Sequence, residues 1–205
     1  MGTPFTFSAQ KEENHMALKE LRPSVMRSSE WWKREHRDEG LWQQLRNQIK
    51  QRDNWTCVYC GFRSYKFMMV NHIGAEDNHS PENLETICKP CHAVLHIGVN
   101  ALQGYLSVID STAQQVEIVR YTRRLVHLQT PWPTIEQQVL AQFLAPSGKV
   151  YSQEESVAWA NKIIHSIPPN EFRGYLPDGF AVIFHEQGPW QNFPEAIHMW
   201  GYRNQ

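Results

Sequence analysis

Four cysteines make up the whole cysteine complement of this chain, and they fall in two pairs, Cys57-Val58-Tyr59-Cys60 and Cys88-Lys89-Pro90-Cys91. Thiols two residues apart present two sulfurs to one tetrahedral ion. The pairs together therefore predict a structural Zn2+ site with Cys57, Cys60, Cys88 and Cys91 as ligands. The competing chemistry is two disulfides. The first fifteen residues carry no hydrophobic signal core, and thiols in a reducing compartment bind metal rather than each other, so the expected location is cytoplasmic. The 27 residues between the knuckles exceed a usual zinc-ribbon gap, so a folded element must lie between them.

A chain of 205 residues with 41% hydrophobic and 20% charged residues is ordinary for a soluble globular protein. No apolar run reaches the length of a membrane span, which excludes membrane insertion by a helix. Formal net charge is −1, so no global positive field draws the chain to nucleic acid. Positive charge is instead clustered around the cysteines: Lys33, Arg34 and Arg37; Arg46, Lys50 and Arg52; Arg63 and Lys66; and, further on, Arg120, Arg123 and Arg124. Each cluster taken alone reads equally as a solvated helix face.

Hydrophobic periodicity divides the chain into an N-terminal arm and helix (1–39), a zinc module (40–100) and a mainly helical C-terminal region (101–205), an α+β fold overall. Residues 1–25 read as a loosely held arm. A helix is expected over 30–52 from Leu41, Leu45 and Ile49, with strands at 67–70 and 85–87. One further helix should start at the second knuckle, carry His92 and His96 on one face, and stop near Gly98. Helices are also expected over 112–128, with Val116, Val119, Leu125 and Leu128 inward, over 134–144, and from the capping box Ser152-x-x-Glu155. A short strand is expected at 181–184.

The module could hydrolyse a phosphodiester, which needs a base to activate water and a cation to stabilise charge growing on phosphate. His72 at the first strand's end is the candidate base. His92 and His96, four residues apart, can hold a cation from one side. Asn83 can tie the intervening loop to the base's backbone, and the zinc-bound thiolates would lock the geometry without reacting. The less favoured alternatives are that His72 is a strand-end histidine bonded to backbone, and His92 with His96 a metal-free helix pair. His79 reads as an ordinary surface or core residue. The tryptophans Trp31, Trp32, Trp42 and Trp55 suit packing more than base stacking.

The pattern Cys-x-x-Cys, Val70-Asn71-His72-Ile73, Pro81-Glu82-Asn83-Leu84 and Cys88-x-x-Cys91-His92-x-x-x-His96 resembles the HNH endonuclease family of the zinc-containing type over about 44–98. The resemblance implies a ββα-metal fold, His72 as general base, Asn83 as its positioning residue, and His92 and His96 as ligands of a catalytic Mg2+, Mn2+ or Ni2+. It further implies DNA as substrate. The family usually has Asp or His before the base, whereas this chain has Asn71, a weaker ligand for a hard cation; Glu76 or Asp77 in the following loop could compensate. The lead-in Gln51-Arg52-Asp53-x-x-Thr56-Cys57-x-x-Cys60-Gly61-Phe62 and the Val70-Asn71 pair also resemble the IcmJ/DotN family, an HNH-like zinc component of a type IV secretion coupling complex. That likeness implies a catalytically silent scaffold docking an ATPase or another large protein through the C-terminal region. A plain zinc-stabilised nucleic-acid-binding module is a third reading.

Overall fold

The computed structural model describes residues 17–27 and 39–190. Its elements run β1 (Ser24–Met26), α1 (Glu39–Arg52), β2 (Met68–His72), a single 3-10 turn (Pro81–Asn83), β3 (Leu84–Cys88), α2 (Lys89–Leu95), α3 (Ile97–Leu102), β4 (Leu106–Asp110), α4 (Gln115–His127), α5 (Trp132–Phe143), α6 (Gln153–Ser166), β5 (Arg173–Tyr175) and β6 (Phe180–Phe184). The expected ββα order is present as β2, β3 and α2, with the two knuckles at the ends of this unit.

The hairpin β2–β3 is antiparallel, with His72 opposite Leu84, Asn71 opposite Glu85 and Val70 opposite Thr86. Alternation along a strand places His72, Val70 and Thr86 on one face and Asn71 and Glu85 on the other. The His72 face packs on α1. There Asp53 Oδ2 accepts the Thr86 backbone N–H at 2.8 Å. Arg52 pairs with Asp53 at 2.7 Å and donates to the carbonyls of Pro81 and Leu84 at 2.6 and 2.8 Å. Sequence-adjacent Arg52 and Asp53 thus clamp the second strand's approach from the C-terminal end of α1. The other face meets Tyr59 of the first knuckle and packs against α2.

The C-terminal region carries more strand than its helical periodicity suggested. β4 pairs antiparallel with β6, Val108 opposite Val182, and both valines are fully buried together with Ile109. Burial of each such aliphatic side chain contributes about 1.5–3 kcal/mol. Gln115 at the start of α4 extends this ribbon, its side-chain amide donating to and accepting from the Val182 backbone at 2.9 and 2.8 Å. The capping box of α6 forms as expected, Ser152 with Glu155. The expected strand at 181–184 is β6; β4 and β5 carry no clear alternation and were not anticipated.

Three further expectations meet a different outcome. The single helix from the second knuckle breaks at His96, whose φ of −128° is not helical, so α2 and α3 are separate segments. The change of axis lets Ile97 and Ala101 bury fully while α3 packs on α6. Leu128, read as inward, is 62% exposed at the C-terminal cap of α4, and Leu41 of the expected helical stripe is 63% exposed. The segment read as a loose arm is built into the fold over 19–26: the Lys19 N–H bonds the Val58 carbonyl, Leu21 and Val25 are buried, and β1 pairs antiparallel with β5. That pairing needs glycine at 174, where a Cβ would lie 2.6 Å from Ile163 Cγ2. The first residues of the expected 30–52 helix, with Trp31, Trp32 and the Lys33, Arg34 and Arg37 cluster, lie outside the described residues.

Candidate functional site

The four thiols converge. Their sulfurs all lie within 4.8 Å of one another, and all four residues are buried. Cys60 Sγ and Cys88 Sγ are 3.7 Å apart, against the roughly 3.8 Å edge of a tetrahedron with Zn–S bonds of about 2.3 Å. Hydrogen bonds from the other three cysteines hold the Cys60 thiol far below its ordinary range, whereas burial pushes Cys88 and Cys91 up. Buried sulfurs that compete for protons in this way are relieved by a divalent cation, which lets all four ionise. The donor set fits zinc. Two members of the distal arginine cluster serve this site: Arg123 Nη1 reaches Cys60 Sγ at 3.2 Å and Arg120 Nε donates to the Cys60 carbonyl at 3.3 Å.

At the open end of the hairpin, the Asn83 side chain bonds within the loop itself and makes no bond to the His72 backbone. Its Oδ1 accepts the Gly74 N–H at 2.8 Å, its Nδ2 donates to the carbonyls of Ala75 and Asn78, and its carbonyl accepts the Ile73 N–H. The loop that follows His72 is therefore closed on itself by one amide. His72 is buried with its ring stacked on Trp42, centroids 5.7 Å apart and planes 7° apart. Its Nε2 lies 3.0 Å from His79 Nδ1. Burial first, then the neighbouring His79, lower its pKa to about 4, opposed by Asp77. A neutral imidazole at pH 7 is the form able to accept a proton.

His92 and His96 stay together despite the helix break, ring centroids 4.4 Å apart. Burial, then the charge of Arg173, lowers the His92 pKa to about 4; burial, His92 and Arg173 push His96 further below its usual value. Both are held neutral, the ligating form. Arg173, delivered by β5, bridges the ends of two elements: Nη1 donates to the Leu95 carbonyl at 3.0 Å and to Ser24 Oγ at 2.9 Å, and Nη2 to the His72 carbonyl at 3.3 Å. Asn71 faces this side, with Nδ2 donating to Glu85 Oε1 at 2.8 Å. Glu85, itself 2% exposed, also accepts from Tyr59 Oη and Lys19 Nζ, each at 2.7 Å. Burial and the Glu85 carboxylate push the Tyr59 pKa far up, so this hydroxyl stays a donor.

The histidines therefore form two pairs, His72 with His79 beside Trp42 of α1, and His92 with His96 beside Arg173. Among the described residues, the cysteines are the one set of three or more His, Cys, Asp or Glu side chains close enough to share an ion, so Glu76 and Asp77 do not join His92 and His96 in such a set. A cavity of about 320 Å3 is lined by Asn71, Tyr59, Leu95, Arg22, Arg173 and Tyr175. Neither it nor a larger cleft of about 650 Å3 is lined by any of the candidate histidines. Sequence reasoning missed His79, Trp42, Glu85 and Arg173. Register alone would have found Glu85 opposite Asn71; Arg173 sends no signal, standing far outside the motif.

A sulfur-clustered hairpin and helix, with one histidine closing the first strand and two on the helix, defines a zinc-stabilised ββα module. The HNH endonuclease family model matches residues 57–96. A probable HNH endonuclease of Lactococcus phage SK1 is 33% identical over 77 residues, 33% of this chain and 77% of the phage protein. The chain belongs to the HNH endonuclease family.

Proposed function

We propose that the protein is a metal-dependent endonuclease that nicks or cleaves DNA in the cytoplasm, directed to its target by a protein bound through the C-terminal region. The observation that carries this reading is the strand-end His72, neutral, stacked on Trp42 and followed by a loop that Asn83 closes. In the reaction, His72 takes a proton from water. The resulting hydroxide bonds to phosphorus, the bond from phosphorus to the 3′ oxygen breaks, and that oxygen leaves with a proton from solvent. His92 and His96 would hold the catalytic cation, which supplies charge stabilisation for the phosphate. Two imidazoles suit Mn2+ or Ni2+ better than Mg2+, which prefers oxygen ligands. Structural zinc in the four cysteines keeps the hairpin and helix in register. Surface lysines and arginines would contact flanking phosphates, with strong salt dependence and little base selectivity. Among the described residues no helix is long and apolar enough to cross a membrane.

The test is nicking of supercoiled plasmid with Mn2+, Ni2+ or Mg2+ by the wild-type chain and by His72→Ala. Loss of nicking with zinc content intact supports the enzyme; equal residual activity in both rejects it. A second reading, the silent scaffold implied by the IcmJ/DotN resemblance, draws support from one place. The amide of Asn71 is engaged by Glu85, and a guanidinium stands beside His92 and His96 where a cation must bind. Under that reading the exposed Phe172 and Tyr175 are anchors for the partner.

A further inference from the structure

The base of a hydrolytic site must present a bare nitrogen, and which of its two nitrogens is bare is set by what the other one binds. His72 Nε2 is engaged by His79 Nδ1 at 3.0 Å. His72 Nδ1 is not among the described buried side-chain nitrogens and oxygens that lack a hydrogen-bond partner. His72 Nδ1, which has no hydrogen-bond partner among the described residues, therefore reaches the surface. Two proton arrangements satisfy the contact between the rings. In one, His72 carries its proton on Nε2 and donates it to a bare His79 Nδ1. In the other, His79 donates from Nδ1 and His72 carries its proton on Nδ1. Neutral histidine in water prefers the proton on Nε2. The first arrangement keeps both rings in that preferred form; the second requires both in the disfavoured one. Trp42, parallel to His72 and tilted against His79 at 4.9 Å, restrains both rings from turning over.

We propose that His79 is a positioning residue that fixes the tautomer of His72, accepting its Nε2–H so that the Nδ1 lone pair is the one turned to water. This rests on the reading of His72 as general base, and it gives His79 the duty that an acceptor behind a catalytic imidazole has in hydrolytic triads. No bond is made or broken by His79; the proton taken from water goes to His72 Nδ1, and His79 retains the hydrogen bond to the resulting imidazolium.

The experiment is a long-range proton–nitrogen spectrum of the zinc-loaded, 15N-histidine-labelled full chain near neutral pH, with His72 assigned by its loss in His72→Gln. The expected result is His72 with Nε2 protonated and Nδ1 bare, a mixture of tautomers in His79→Ala, and recovery in His79→Asn, whose amide oxygen stands where Nδ1 stood. On plasmid, His79→Ala should lower kcat about 10-fold with KM unchanged, and His79→Asn should regain most of it. A proton on His72 Nδ1 in the wild type, or an unaltered tautomer in His79→Ala, overturns the proposal. If His79→Ala loses its zinc, the wild-type and His79→Asn spectra decide. Absence of any His72-dependent nicking with the expected spectrum sinks the nuclease reading and leaves the tautomer assignment standing.

Discussion

The two faces of the β2–β3 hairpin differ in what they leave unused. Towards α1, His72 is paired with His79 and keeps one nitrogen at the surface. Towards α2, Asn71 is drawn into a buried network around Glu85, and Arg173 spans the ends of strand and helix. Consecutive residues of one strand thus serve opposite purposes. One side keeps a nitrogen without a partner among the described residues; on the other the Asn71 amide is bonded to Glu85. A side chain with an unspent hydrogen-bonding position marks chemistry more sharply than proximity to other histidines does.

Removing the zinc should abolish the contrast altogether. Structural zinc contributes on the order of 10–16 kcal/mol of apparent binding energy to folding of small modules. Cys88→Ser, or chelation, should collapse the hairpin and α2, read as loss of bound zinc and of far-ultraviolet dichroism. His72→Ala isolates the open face: nicking should fall about 10²–10⁴-fold while the melting temperature shifts by no more than a few degrees. A large loss of stability without loss of activity would reverse the roles of the two faces.

The closed face is addressed by Glu85→Ala. It strands Tyr59, Asn71 and Lys19 at once and should cost about 2–4 kcal/mol in urea unfolding, most of it from the buried partners because Lys19 is 47% exposed. A further effect is set by pH. The His72 pKa is about 4 in the fold against an ordinary 6.5. As pH falls below 6.5 the unfolded chain takes up this proton first, so stability is complete above that value and is lost down to about pH 4. His92 shifts the same way. The urea midpoint should drop between pH 7 and pH 5, with a shallower drop in His72→Gln.

Local spacing made the cysteines, the hairpin, Asn83 and the histidine pair on α2 legible, because a knuckle or a strand end is a matter of a few consecutive residues. Burial stripes gave α4, α5 and α6 to within a few positions at either end. What escaped depended on distant segments. The break at His96 follows from how α3 lies on α6, not from any helix breaker at that residue. Reading His79 as an ordinary surface or core residue left out that the loop tied by Asn83 folds back on His72. The clusters Arg120–Arg123 and Arg46–Arg52 were legible as charge but not as work, since Arg123 attends a sulfur and Arg52 two carbonyls of the hairpin approach.

Arg173 makes the hairpin's end answer to a strand synthesised long after it. During translation the cysteines, His72 and the α2 histidines all leave the ribosome before the guanidinium that joins the His72 and Leu95 carbonyls. A nascent chain stopped short of β5 would hold its metal knuckles but not that brace. Excision of the motif as a minimal fragment would likewise yield a folded sulfur cluster with an unfastened working end.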